Sequence, residues 1–208
     1  MTKEPGPTHD RAYRSPAGIA GGCLLLALGV WLGIDAVIGG SGRTPWVALA
    51  GLLLVVPLVV AFTLRPAVFA GEDRLRIRNP FRAITLPWSA VSGFRSGYSN
   101  EVFDQSGIKY QLWSIPVSLR GRKKAQRNLA RAAAADDPGR RSMIGTGSIQ
   151  TRSTRAATDQ VMDELRELSE ARAAEPTAQG EPAVRWAYEI IVPAAIGAVL
   201  LAVLLATG

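Results

Sequence analysis

The chain has 208 residues, 24 Lys and Arg against 17 Asp and Glu, and a formal charge of +7. Its one Cys, Cys23, excludes an internal disulfide and a Cys-based metal cluster, and its one His, His9, sits in a polar N-terminal tail. His-ligated metal sites and a Ser/His/Asp triad are therefore not expected, and with them goes most of enzyme space. Hydrophobic residues make up 48% even before the 21 glycines are counted, above the usual soluble balance, and they are not evenly spread.

Residues 1–15 form the polar tail, and three apolar stretches follow at 16–38, 46–64 and 187–208. Each is close to the roughly 20 residues that a helix needs to cross a bilayer core. The first is too long for a signal-peptide core and lacks a small-x-small cleavage site after it. Ala20-Gly21-Gly22-Cys23 resembles a lipoprotein box, but most of the apolar run follows the Cys, so Cys23 reads as a small residue in a helix wall. Lys3, Arg11 and Arg14 precede the first span, only Arg43 lies between the first two, and Arg65, Arg74, Arg76, Arg78 and Arg82 follow the second. The positive-inside bias then predicts a multi-pass protein of the cell membrane, with the N-terminus and the main domain cytoplasmic and the C-terminus outside. Trp31 and Trp46 flank the outer loop; Arg185, Trp186 and Tyr188 mark the inner edge of the third span.

Gly18, Gly22, Gly29 and Gly33 fall on one face of the first span, which lets another backbone approach closely. Two readings stand: a homodimer contact, and packing of the spans within one chain, the commoner use of such a stripe. Ala194, Ala198, Ala202 and Ala206 make a looser stripe on the third span. Pro57 and Pro193 remove backbone donors and can bend their helices. No ionisable residue lies in the middle of any span, which argues against a proton relay or an ion pathway.

The polar block 65–185 changes character twice. Through 65–119 the pattern is strand and turn: Pro66–Ala70, the Gly71-Glu72-Asp73 turn, the strict alternation of Arg74-Leu-Arg-Ile-Arg78, the Asn79-Pro80 turn, and Ala83–Trp88 with Ile84, Leu86 and Trp88 toward a core. Val91–Arg95 can add a strand, and Glu101–Asp104 with Ile108–Ile115 reads as a hairpin, giving an antiparallel meander. Residues 120–155 read as a basic helix to Asp136, then a mobile loop from Asp137. Over 156–175 an amphipathic helix is expected, with Thr158 as N-cap, Asp159 at its positive end, and Val161, Leu165 and Leu168 on one face beside Met162. Residues 176–186 read as a linker.

Arg65-Pro66, Leu75-Arg-Ile-Arg-Asn79-Pro80-Phe81-Arg82 and Ile84-x-x-x-Trp88-x-x-Val91 resemble the small bacterial PH-like domain of membrane proteins, the type named for low molecular weight protein antigen 6. The resemblance covers Pro66–Leu119, about a quarter of the chain, with the Asn-Pro-Phe-Arg turn followed by Trp88 as its best part. It implies a curved antiparallel sheet closed at one end by a helix, for which Thr158–Ala174 is the candidate. It carries over neither a general catalytic activity nor a defined ligand. The insertion 120–155 departs from the pattern.

The fold class expected is therefore an α+β membrane protein: three transmembrane helices plus a cytoplasmic PH-like antiparallel sheet with a C-terminal amphipathic helix. Two basic features are candidate contacts for anionic lipid or a protein partner. The first is the arginine face Arg74, Arg76 and Arg78, with Arg82 beyond the turn; the bland alternative is a solvated edge strand. The second is Arg120, Lys124, Arg127 and Arg131, one stripe on a helix, which could lie on an anionic leaflet or fold against Asp163, Glu164, Glu167 and Glu170. Residues 65–155 hold 17 basic and 6 acidic residues, against 3 basic and 7 acidic in 156–186. Nucleic acid is not an expected partner, because neither a recognised module nor an aromatic platform accompanies the charge. Gly145-Thr-Gly147-Ser lacks the rest of a phosphate loop, and no carboxylate pair is set for acid–base work, so no catalytic residue, cofactor or metal is expected. The expected function is non-catalytic recognition or scaffolding at the inner face of the membrane. The alternative is a structural accessory subunit of a membrane complex that acts through its glycine-striped spans.

Overall fold

The computed structural model describes residues 10–115 and 149–207, with side chains described from residue 158 onward in the second stretch. In chain order the elements are β1 (Arg11–Tyr13), α1 (Pro16–Ile38), α2 (Thr44–Val59) with a π-helical turn (Val60–Leu64), β2 (Ala67–Ala70), β3 (Arg74–Arg78), β4 (Arg82–Pro87), β5 (Val91–Ser96), β6 (Asn100–Asp104), β7 (Lys109–Gln111), α3 (Ile149–Arg172), β8 (Ala183–Trp186) and α4 (Tyr188–Ala206). Residues Pro16–Ile38, Thr44–Leu64 and Tyr188–Ala206 are long and apolar enough to cross a membrane, three candidate membrane spans among the described residues.

Helix α2 is the middle of the three, packed by α1 on one side and α4 on the other. Small residues set both contacts. A Cβ on Gly22 would fall inside the Thr63 side chain, and one on Gly33 would fall inside Leu52. Gly18 lies beside the Thr63 carbonyl, whereas Gly29 has nothing within 4 Å of the place its Cβ would take. Three of the four glycines thus serve packing within the chain. On α4 the contact is made by Ile190, Ala194 and Gly197, a helical i, i+4, i+7 row, while Ala198, Ala202 and Ala206 are exposed. A Cβ on Gly197 would sit 2.5 Å from the Leu54 nitrogen, so the two backbones touch there. Pro57, one turn further on, donates no N–H to the Leu53 carbonyl, and α2 then relaxes into the π-helical turn, closed by the Arg65 N–H on the Val60 carbonyl at 2.9 Å. At the other end of the spans Arg43 donates to the Leu204 carbonyl, one of the C-terminal carbonyls of α4 without a helical partner, and to Thr207 Oγ1.

Two antiparallel sheets replace the single meander expected. One has the order β1-β2-β3-β4-β8; the other has β5-β6-β7. The alternation of β3 and β4 holds as expected: Leu75 and Ile77 pair with Leu86 and Ile84, and all four are buried. Trp88 follows in a 3₁₀ turn rather than in the strand, fully buried, and its Nε1 donates to the Gly71 carbonyl at 3.1 Å. These side chains meet Val68, Val91, Val102, Tyr110, Leu112 and Ile115 between the sheets. Each such side chain contributes about 1.5–3 kcal/mol when fully buried. Helix α3 closes the core with Met162 and Leu165, flanked by Val161 and Leu168, the face expected from its spacing.

Three expectations are corrected. The polar tail and the linker both contribute strands: β1 pairs Arg11–Tyr13 with Ala70–Val68, and β8 pairs Ala183–Trp186 with Thr85–Arg82. Three- and four-residue strands are held by the ladder they join, not by a pattern of their own. Helix α3 begins at Ile149, inside the loop expected over 137–155, so Thr158 is a buried residue within the helix and not its N-cap. In addition, β1 is pinned to α3, because Glu164 accepts from Tyr13 Oη at 2.7 Å and pairs with Arg11.

Two predictions follow from packing and from one buried carboxylate. Gly197→Ala forces α4 away from the α2 backbone and costs about 1–3 kcal/mol, whereas Gly29→Ala leaves the melting temperature in detergent unchanged. Burial alone would raise the Asp104 carboxyl, but hydrogen bonds from Ser106 Oγ, the Ile108 N–H, Tyr110 Oη and the Ser106 N–H outweigh it and hold its pKa below the ordinary value. A depressed folded pKa stabilises the hairpin above the unfolded value near 4, and that contribution is lost as pH falls through the folded one. Thermal unfolding as a function of pH therefore shows an acid loss below about pH 4 that Asp104→Asn flattens, with a lower melting temperature at neutral pH.

Candidate functional site

The three spans enter the first sheet directly. Strand β1 ends at Tyr13, three residues before α1; β2 starts three residues after the π-helical turn; β8 ends at Trp186, two residues before α4. One end of that sheet is therefore its membrane edge, and the β3–β4 turn, Asn79-Pro80-Phe81-Arg82, lies at that edge. Its closure is the Asn79 N–H on the Arg82 carbonyl at 2.9 Å. Phe81 packs with Val60, Ala61, Ala187 and Ile190, the bases of two spans, and meets the Phe62 ring edge-on at 5.3 Å. The Phe81 carbonyl accepts from the Ala187 N–H at 2.8 Å, and Trp113, in the turn after β7, leans on Phe62 at 5.6 Å. Arg65 ties the same corner together, donating to the Asn79 carbonyl at 3.3 Å and pairing with Glu189 at 2.6 Å.

The pleat divides the four β3–β4 arginines. Arg74, Arg76 and Arg78 alternate with buried Leu75 and Ile77 and are exposed on the outer face, as expected. Arg82 is a correction: it shares its side of β4 with Ile84 and Leu86, so it points to the opposite face, next to Trp186 across the ladder. Proximity in sequence across a turn gives no information on parity. Arg120, Lys124, Arg127 and Arg131 lie outside the described residues.

Around the triad the structure assembles residues that sequence spacing did not connect. Phe69, the outer-face neighbour of Arg76, is half-buried beneath three guanidinium groups: Arg78 at 5.1 Å, Arg76 at 5.8 Å and Arg14 at 5.9 Å from its ring centre. Each contact is attractive by about 0.5–1 kcal/mol at an exposed position, but the three like charges repel one another. Asp10 relieves one of them by pairing with Arg76, and Asp73 lies 3.9 Å from Arg74. Those acids, with Glu72, line an open depression of about 440 Å³ at the far end of the face from the membrane, shared with Arg74, Arg76 and Thr85. Arg185 belongs to the same face through the row Ala67, Arg78, Ala83, Arg185. Only the register of β1 and β8 shows that Arg14 and Arg185 belong here; the sequence places them 171 residues apart.

Because Phe81 is the point where sheet and spans meet, Phe81→Ala removes contact with two spans at once. A loss of about 3 kcal/mol is expected, seen as a lower melting temperature of the full chain in detergent with the spans still helical by circular dichroism.

Comparison with known proteins gives one match. Residues 65–142 fit the family described as Bacterial PH domain, which covers the strands β2–β7 and continues past them. No curated protein and no solved structure shows significant similarity to the chain. With the Asn-Pro-Phe-Arg turn and the buried Trp88 in place on two antiparallel sheets, the chain carries a bacterial PH domain, at residues 65–142, between its second and third candidate membrane spans.

Proposed function

We propose that the protein is a non-catalytic, membrane-anchored recognition module, whose PH domain presents a charged sheet face at the inner leaflet to a protein partner or to anionic headgroups. The observation that carries this reading is the direct continuation of three spans into strands of one sheet. A face held in this way cannot leave the bilayer surface, and tethering raises the local concentration of its target, so weak contacts suffice. The orientation with the sheet in the cytoplasm draws support from the arginines at its membrane edge. The accessory-subunit alternative is less well supported, because Gly18, Gly22 and Gly33 are already used inside the chain.

The test uses the full chain in its own cell membrane, with a proximity label fused to it. Reversing the outer face (Arg74→Glu, Arg76→Glu) is expected to change the set of labelled neighbours, while Gly29→Leu on the free side of α1 leaves it as it was. The opposite pattern would move the assignment to the spans. A fragment 65–185 is unsuited to this purpose, since it lacks β1 and cuts β8.

A further inference from the structure

The outer face of the first sheet is electrically polarised, and the polarity follows the membrane. Its carboxylates, Asp10, Glu72 and Asp73, gather at the end away from the bilayer. Its membrane end holds Arg14, Arg78 and Arg185, all exposed, and none of the three has an ion-pair partner among the described residues. Arg78 and Arg14 converge on the Phe69 ring, and Arg185 lies two strands from Arg78, about 10 Å away at ordinary strand spacing.

Their depth is set by the chain. Arg14 is two residues before α1 and Arg185 is three before α4, while Arg78 pairs across the ladder with Ala67, three residues after the π-helical turn. At ~3.3 Å per residue their backbones stand roughly 7–10 Å from the span ends, so an extended arginine side chain can reach back into the headgroup layer, which adds roughly 5–8 Å to each side of the hydrocarbon. Guanidinium pairs with phosphate through parallel N–H···O bonds, and Arg14 and Arg78 over one aromatic ring offer an anion two cations that no salt bridge among the described residues holds, with Arg185, whose charge also reaches Glu189, further along the same edge.

We propose that the membrane end of this face, with Arg14 and Arg78 above Phe69 and Arg185 at the other edge of the sheet, binds headgroup phosphates of anionic phospholipids in the leaflet beside the sheet. The proposal rests on the recognition reading above and names the ligand of its membrane end.

The experiment reconstitutes the full chain in discs of phosphatidylcholine, alone or with one-fifth phosphatidylglycerol, and measures the relative association of spin-labelled phosphatidylglycerol over phosphatidylcholine. A preference for the anionic probe is expected, falling roughly 5-fold for each cation removed in Arg14→Gln, Arg78→Gln and Arg185→Gln, and kept in the Lys versions. Arg166→Gln, on α3 against the Phe94 carbonyl of β5, should keep it too. If the triple Gln variant does not fold, salt decides: the wild-type preference must vanish at about 1 M, where screening reaches ~3 Å. Equal association of the two probes, or a preference that survives the three Gln substitutions or high salt, overturns the site. Displacement of the probe by millimolar inorganic phosphate also overturns it, in favour of a free anion. Any of these failures leaves the recognition reading standing wherever the proximity pattern still depends on the sheet; loss of both results removes the two together.

Discussion

Backbone hydrogen bonding at the bilayer boundary is the constraint on which the rest depends. Inside the hydrocarbon each span satisfies its own polar groups as a helix, and on leaving it the chain must find partners at once. This protein meets that demand by passing from helix to strand within two or three residues at three places, all in one sheet. The ladder that satisfies the backbone therefore also fixes where the spans stand relative to one another. The β3–β4 turn fills the corner so formed: Phe81 supplies apolar surface to the bases of the spans, and its carbonyl takes the N–H of Ala187.

The same junction explains the close packing below it. Spans whose ends are spaced by neighbouring strands start near one another, and small residues let them remain so. Gly22 and Gly33 admit side chains of the second span, and Gly197 admits its backbone. Pro57 deprives that backbone of one internal hydrogen bond near the closest approach, and the π-helical turn re-phases the helix before it becomes β2. In lipid, where burial of apolar surface does not drive helix association, such contact is what holds spans together.

Charge is arranged by the sheet rather than by any single segment. Five strands drawn from three regions of the chain bring cations to the membrane end of one face and carboxylates to the other. Arg11 and Tyr13, on the core side of β1, are held by Glu164 of α3, so the helix that closes the core also secures the strand leading into the first span. The domain and its anchor form one structural unit, which is why cutting between them would remove part of the sheet.

Much of this was legible in the residues. The first span was expected at the residues where it occurs, because eighteen or more uncharged apolar residues have few other uses. Arg74–Arg78 alternates so strictly that strand, register parity and buried face were all readable, and the same holds for Ile84 and Leu86. Val161, Leu165 and Leu168 announced the closing helix by spacing alone, though not its start at Ile149. The arginine triad could be read as a face; Arg82 could not be placed, because a turn conceals which side of the next strand a residue takes.

Features that depend on neighbours in the chain are readable from it alone: three spans, the alternation of the central strands, the amphipathic helix, and an excess of positive charge after the second span. The remaining features depend on residues far apart in the chain. β1 and β8 are too short to carry a period and exist because β2 and β4 offer open ladders. The glycine stripe could serve a second copy or the same chain until Thr63 and Leu52 were seen against it. Arg14, Phe69, Arg78 and Arg185 become one surface only when the register is fixed, since cross-strand neighbours are set by hydrogen bonding between segments and leave no trace in local sequence.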